Sequence, residues 1–325
     1  MTDDLSVRRA DAADFPGILE LARRALGWTD DDAGFLRWKH VENPFGASPM
    51  WVALDGPRIV GFRTFLRWRF TAPDGRPVHA ARAVDTATDP DHQGRGIFTA
   101  LTSQAIDQLP DDGVQLIFNT PNEKSLPGYL KMGWREVGRL AVAVKPTSPR
   151  FLVVVGTARG PAGRWPLPTA AGSDPADAFA DQASVASLLD SQPRAAGLAT
   201  MKSPEYLRWR YGNEALGYRV VLRGAGPEAG FAVFRRRRRG RAVEGVLCDL
   251  VVPEGSPAAA AELLRQVDRA AEVDYLLRLD RRRVTRGPFV RLPKVGPVLA
   301  CRPLDASPAP GLTGWALTMG DVELF

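Results

Sequence analysis

Cysteine and histidine are scarce: the 325 residues hold two cysteines, Cys248 and Cys301, and three histidines. Both cysteines sit in apolar surroundings, VLCDLVV and VLACRPL, as buried inert thiols do. A disulfide framework is excluded, and no His/Cys grouping has metal-ligand spacing, so no metal is expected. Long apolar runs are also missing. The longest, FLVVV at 151–155, is strand-sized, far short of the roughly 18 residues of a membrane helix. The N-terminus, MTDDLSVRRADAADF, has early acids and no apolar core, which argues against a secretory signal and for a cytoplasmic protein with no membrane partner.

What is present is ordinary for a globular chain: 45% hydrophobic and 25% charged residues, with a net charge of +6. The length suits two domains. Arginines cluster at Arg235–Arg239 and Arg281–Arg283. A basic surface draws anions, nucleic acid or a phosphorylated cofactor among them. The first run lies where a hairpin turn is expected and has no interleaved aromatics, which argues against nucleic acid.

Element signals alternate along the first half. SVRRADAADFPGILELARRAL reads as a strand and then a helix, with an apolar stripe through Phe15, Ile18, Leu19, Leu21, Ala22 and Leu26. MWVALDGPRIVGFRTFLRWRF reads as a hairpin about Asp55-Gly56-Pro57. VHAARAVDTATD, a glycine turn, a helix to about Leu109, the strand VQLIFNTP, the helix NEKSLPGYLKMG and a strand pair REVGRLAVAVKP follow. The fold class is α/β, an α+β mixed sheet flanked by helices. Residues 147–178, rich in Pro, Gly and Ala, read as a linker holding one short strand, FLVVV. Domains are expected at 1–146 and 179–325.

The chain then repeats itself. Tyr206-Leu-Arg-Trp-Arg echoes Phe35-Leu-Arg-Trp-Lys, Asn213–Gly217 echoes Glu42–Gly46, and CDLVV at 248–252 stands where VDTAT stood. The second copy has VVPEGSPAAA in place of the glycine turn, so only the first half carries whatever that turn does.

The turn is DPDHQGRGIFTAL, residues 89–101. Gly94 and Gly96 permit positive φ and a close ligand approach. The first N–H groups of the following helix, with its dipole and Arg95, make an anion site. The pattern is neither a Rossmann fingerprint nor a P-loop. Downstream stands Asn122-Glu-Lys-Ser-Leu-Pro-Gly-Tyr129-Leu-Lys-Met-Gly133-Trp134. Together the two motifs resemble those of the GCN5-related N-acetyltransferase (GNAT) superfamily over about residues 5–145, here as a tandem pair of GNAT-like domains with a degenerate second copy.

The resemblance implies an acetyl-CoA-dependent N-acetyltransferase that acylates a primary amine of a small molecule directly. The first half has no cysteine for a relay. Thr86, Ala87 and Thr88 would bind the pantetheine arm through backbone groups. Gln93, Gly94, Arg95, Gly96, Ile97 and Phe98 would wrap the pyrophosphate of acetyl-CoA. Asn119, Asn122 and Ser125 would contact the cofactor arm, and Tyr129 would protonate the leaving thiolate as general acid. Asp85 and Glu42 are the candidate bases, with His40 a packed or surface residue and a water chain the other route. The second half would complete the substrate groove or a homodimer surface. The alternative is a non-catalytic acyl-CoA-binding or regulatory module. Phe98 stands where the family has Gly or Ala, and its ring is expected to point into the core between helix and sheet. Proline at 127 is expected in the first helical turn, with the helix starting near Ser125.

Overall fold

The structure, a computed structural model, describes residues 5–29, 32–158, 160–280, 289–292 and 294–323. The arginines 281–283 singled out above lie outside the described residues. The chain forms two compact units. One comprises 1–71, 76–138 and 298–311, the other 72–75, 139–297 and 312–325.

The first unit begins with β1 (Leu5–Arg9), α1 (Phe15–Leu26) and α2 (Asp32–His40). The hairpin strands β2 (Met50–Asp55), β3 (Arg58–Thr71) and β4 (Pro77–Thr88) follow. Then come α3 (Ile97–Gln108), β5 (Leu116–Asn119), α4 (Leu126–Lys131) and β6 (Arg135–Arg139). Period-two alternation sorts the side chains onto two faces. Trp51, Ala53 and Phe65 pack with Ile97, Leu101 and Ala105 of α3 on one face. Met50, Val52 and Phe62 pack with Ile18, Leu21 and Ala22 of α1 on the other. Gly61 admits α3 to the sheet: a Cβ there would lie 2.4 Å from Ile97 Cγ2.

In the second unit β7 (Val142–Pro146) comes first, followed by the short helices α5 (Phe151–Val154) and α6 (Pro175–Ala178), then α7 (Gln182–Asp190), a two-residue strand β8 (Ala199–Thr200) and α8 (Pro204–Tyr211). Strands β9 (Arg219–Leu222), β10 (Phe231–Arg239) and β11 (Ala242–Val251) lead to α9 (Pro257–Ala270), β12 (Tyr275–Leu279) and β13 (Val290–Leu292). After β14 (Val298–Pro303), α10 (Met319–Val322) ends the described chain. FLVVV is thus a helix, not the expected strand, because a contiguous apolar run carries no period to choose between the two.

The sheet orders expose the repeat and an exchange. The first runs β1-β2-β3-β4-β5-β14-β6, the second β13-β7-β12-β11-β10-β9. Each contains a parallel pair, β4–β5 and β11–β12, bridged by α3 and α9. The strand beside β5 is β14, from the far end of the chain. The strand beside β12 is β7, from the first half. Linear bounds at 146 and 179 therefore do not describe the compact units: residues 139–146 belong to the second and 298–311 to the first. Alternating apolar residues mark a strand but not the sheet that receives it.

The arginine run is likewise not a turn. Arg235–Arg239 lie inside β10, and the turn follows at Gly240. Arg235 is buried with its Nε 3.4 Å from Glu323, Arg237 and Arg239 reach Glu244 at 2.6 and 2.8 Å, and Arg236 reaches Glu272 at 3.2 Å. Four of the five arginines thus have a carboxylate within the unit, three carboxylates in all. Among the described residues no helix is long and apolar enough to cross a membrane.

Candidate active site

Strand β4 makes the site by leaving its neighbour. Its parallel register with β5 ends at Arg82–Phe118, and β5 stops at Asn119 while β4 continues to Thr88. From Ala83 to Thr88 that edge of β4 therefore has no β5 register partner. Thr86, Ala87 and Thr88 lie on this stretch, held from the other side by β3. Asn119 closes the end of β5; it is buried, and its side-chain oxygen has no hydrogen-bond partner. A buried acceptor without a donor is costly and fits an incoming N–H, such as an amide of a pantetheine arm.

The turn after β4 is anchored by Asp89, whose buried carboxylate meets Arg24 at 2.5 Å and Arg58 at 2.7 Å. Burial would raise that carboxyl, but the Asp91 N–H and the two arginines outweigh it and hold it below its usual range. Gln93, Gly94, Arg95 and Gly96 stand exposed at the tip. Gly94 and Gly96 have φ of +77° and +76°, and a Cβ at either would meet no atom. Conformation, not crowding, demands glycine here. The backbone N–H groups of Gln93 to Gly96 find no acceptor among the described residues. They adjoin the first turn of α3, where Ile97 turns inward and the helical N–H groups are orphaned. Oxygen-rich anions suit such a cradle.

Asn122 organises the approach to α4. Its Oδ1 accepts from the N–H groups of Lys124 and Ser125 at 3.0 and 2.9 Å, and Ser125 is the N-cap. The helix starts at Leu126 with proline in its first turn, as anticipated. Tyr129 is buried on this helix, its ring tilted against Trp134 at 5.1 Å. The Phe98 ring meets Tyr129 edge-on at 5.6 Å and packs on the α3 core cluster, the expected inward orientation.

One partner of Tyr129 escaped the sequence reading. Arg63 Nη2 donates to the Tyr129 hydroxyl at 2.5 Å. Alternation hid it: Arg63 shares a face of β3 with Arg67 and Arg69, opposite Phe62, Leu66 and Trp68, and so reads as solvent-facing, whereas both faces are buried there and α3 brings Phe98 over Arg63. β14 was also missed. Its Arg302 donates to the Met132 carbonyl at the end of α4 and lies over the Trp134 ring at 5.8 Å.

The two candidate bases are not brought to Tyr129 by any hydrogen bond or ion pair. Asp85 is the extra residue of a β-bulge, between Arg63 opposite Thr86 and Thr64 opposite Val84, with φ of +27°. Its carboxylate receives Lys39 at 2.7 Å and His40 Nε2 at 2.8 Å. Burial would raise the carboxyl, but Lys39 and His40 outweigh it and hold it well below the usual carboxylate range. His40 is fully buried, and burial pushes its imidazole below its ordinary value against the pull of Asp85. A neutral ring donating from Nε2 to Asp85 and accepting at Nδ1 from Ser48, 2.9 Å away, satisfies every group. Glu42 is exposed and pairs with Arg37 at 3.2 Å.

The second unit has a related cluster: Tyr211 at the end of α8 donates to Asp249 of β11 at 2.5 Å, with Lys202 as the cation, although the extra residue of its β10–β11 bulge is Cys248 and Asp249 stands opposite Val233.

Comparisons with known proteins bear on the fold and family. Residues 6–137 match the family model of an acetyltransferase (GNAT) domain. Among solved structures, a GCN5-related N-acetyltransferase from Anabaena variabilis ATCC 29413 superposes with a TM-score of 0.63 at 12% identity, over 93% of this chain and 73% of that one. A probable N-acyltransferase from Enterococcus faecalis V583 gives 0.65 at 14%, over 93% and 72%. Eis1 from Mycobacterium abscessus gives 0.57 at 18%, over 93% and 74%. No curated protein matches the sequence.

Proposed function

We propose, from the match of residues 6–137 to an acetyltransferase (GNAT) domain and from the fold, that this chain is a GNAT enzyme that moves the acetyl group of acetyl-CoA to a primary amine of a small molecule by direct transfer. The observation that carries the reading is the row of open N–H groups from Gln93 to Gly96, set between the free edge of β4 and the first turn of α3. The diphosphate would lie on those groups, and the pantetheine arm along Thr86–Thr88 with an amide toward Asn119. Tyr129 would be the general acid. The amine nitrogen attacks the thioester carbonyl, the C–S bond breaks, and the sulfur takes the phenol proton. The amine's surplus proton leaves through water, since Asp85 is committed to its latch.

Calorimetry with acetyl-CoA tests the binding half. Gly96→Val places a β-branched residue at φ +76° and is expected to weaken binding about tenfold or more. Thiol release over a panel of polyamines, aminoglycosides, amino sugars, peptide termini and amino acids tests the rest. Tyr129→Phe is expected to lower kcat by about 10²-fold or more with acetyl-CoA affinity retained. An unchanged kcat removes Tyr129 from the mechanism. The commitment of Asp85 and Glu42 to ion pairs favours a second reading, an acyl-CoA-binding module without turnover. Tight acetyl-CoA binding with no thiol release from any amine would select it.

A further inference from the structure

Arg63 is the one buried arginine described in the first unit whose only recorded hydrogen bond goes to the candidate acid. Its residue is 1% exposed, its Nε is buried without an acceptor, and no carboxylate among the described residues pairs with it. Three aromatic faces hold the guanidinium instead: its Cζ lies 4.9, 5.3 and 5.4 Å from the ring centroids of Phe65, Phe98 and Tyr129. Ring faces offset only part of the lost hydration of a cation. The buried arginine of the second unit's strand β10, Arg235, has Glu323 beside it. A preorganised cation without a counter-charge is what a site needs where negative charge arises only during the reaction.

We propose that Arg63 is a positioning residue acting through Tyr129. The phenol oxygen accepts from Nη2, which turns the remaining O–H away from Arg63 and toward the leaving group. When the thioester C–S bond breaks, the electron pair goes to sulfur, the phenol proton follows it, and the CoA thiol leaves. The phenolate stays paired with the guanidinium until solvent returns a proton. Phe98 then has a function at a position the family fills with a small residue: its ring covers the guanidinium and keeps water from taking the role of Tyr129. The inference rests on the reading of Tyr129 as acid.

The thiolate itself is the probe, so no acceptor need be known. Binding of CoA and of desulfo-CoA is measured by calorimetry at about pH 8.5 in two buffers of different ionisation heat. The wild-type chain is expected to prefer CoA about tenfold and to release a proton on binding it, the yield of one charge-assisted hydrogen bond to sulfur. Tyr129→Phe, Arg63→Met and the double variant are each expected to lose the preference while keeping desulfo-CoA affinity. Arg63→Lys, which keeps the charge without the fork and serves if the methionine variant fails to fold, is expected to lose part of it. Arg63→Met that keeps the preference, or that weakens both ligands alike, overturns the inference. So does a preference that survives Tyr129→Phe. Equal binding of both ligands by the wild type, with Tyr129→Phe still slow in turnover, sinks the inference and leaves the acid reading intact. Binding of neither ligand sinks both.

Discussion

At the scale of single residues, the charged groups near β4 divide by partner. Asp85, Lys39, His40 and Ser48 satisfy one another, while Arg63 and the Asn119 oxygen do not. The first group should report on stability. His40 is held below its ordinary value in the fold, so the unfolded chain gains a proton first as pH falls through about 6.5, and stability is lost from there down. Asp85 is also held low, so its contribution is present above about pH 4 and lost further into acid. The free energy of unfolding is expected to fall between pH 7 and pH 5, by at most about 1.4 kcal/mol per pH unit for one such group, and the melting temperature with it. His40→Gln, which can still bond Asp85 and Ser48, should flatten that slope. An equal slope in the variant would assign the acid sensitivity elsewhere. Much of this chemistry was visible as residue types. Asp85 and His40 drew notice, but their pairing was not legible, because they lie 45 positions apart and meet only through the bulge.

At the scale of elements, α3 matters twice: its N-terminus borders the glycine turn, and its apolar face fixes where that turn stands. The contact depends on Gly61, where even one methyl group would overlap Ile97 at 2.4 Å and press on Leu101 at 3.2 Å. Gly61→Ala is expected to destabilise by about 1–3 kcal/mol through overpacking. Combining it with Ile97→Ala should cost less than the sum of the single changes, because one removes the atom the other strikes. Additive costs in denaturant melts would show that the two do not share the contact. The helix itself was plain in the sequence, with Ile97, Leu101 and Ala105 on one face. The close approach was not, since a glycine in a strand signals a bulge as readily as a neighbour.

At the scale of the whole molecule, the exchange of β7 and β14 makes neither half of the sequence a complete unit. A fragment of residues 1–146 lacks the strand that pairs with β5 through Ala300–Asn119 and Cys301–Phe118. It is expected to show no cooperative melt in calorimetry, and co-expression with 147–325 should restore one. A fragment that melts cooperatively alone would mean that the first sheet closes without β14.

The sequence by itself determined the local matters: hairpins from turn residues, helices from apolar stripes, the glycine turn, the Tyr129 motif and the internal repeat. Each is written within a few residues, where backbone sterics and periodicity act. Only the tertiary structure decided which sheet receives β7 and β14, that the Arg235–Arg239 run is paired with carboxylates from its own unit, that Asp85 is held in a latch, and that Arg63 stands against Tyr129. Those outcomes depend on pairings between distant segments, and a side chain's charge state and partners follow from the neighbours that packing supplies.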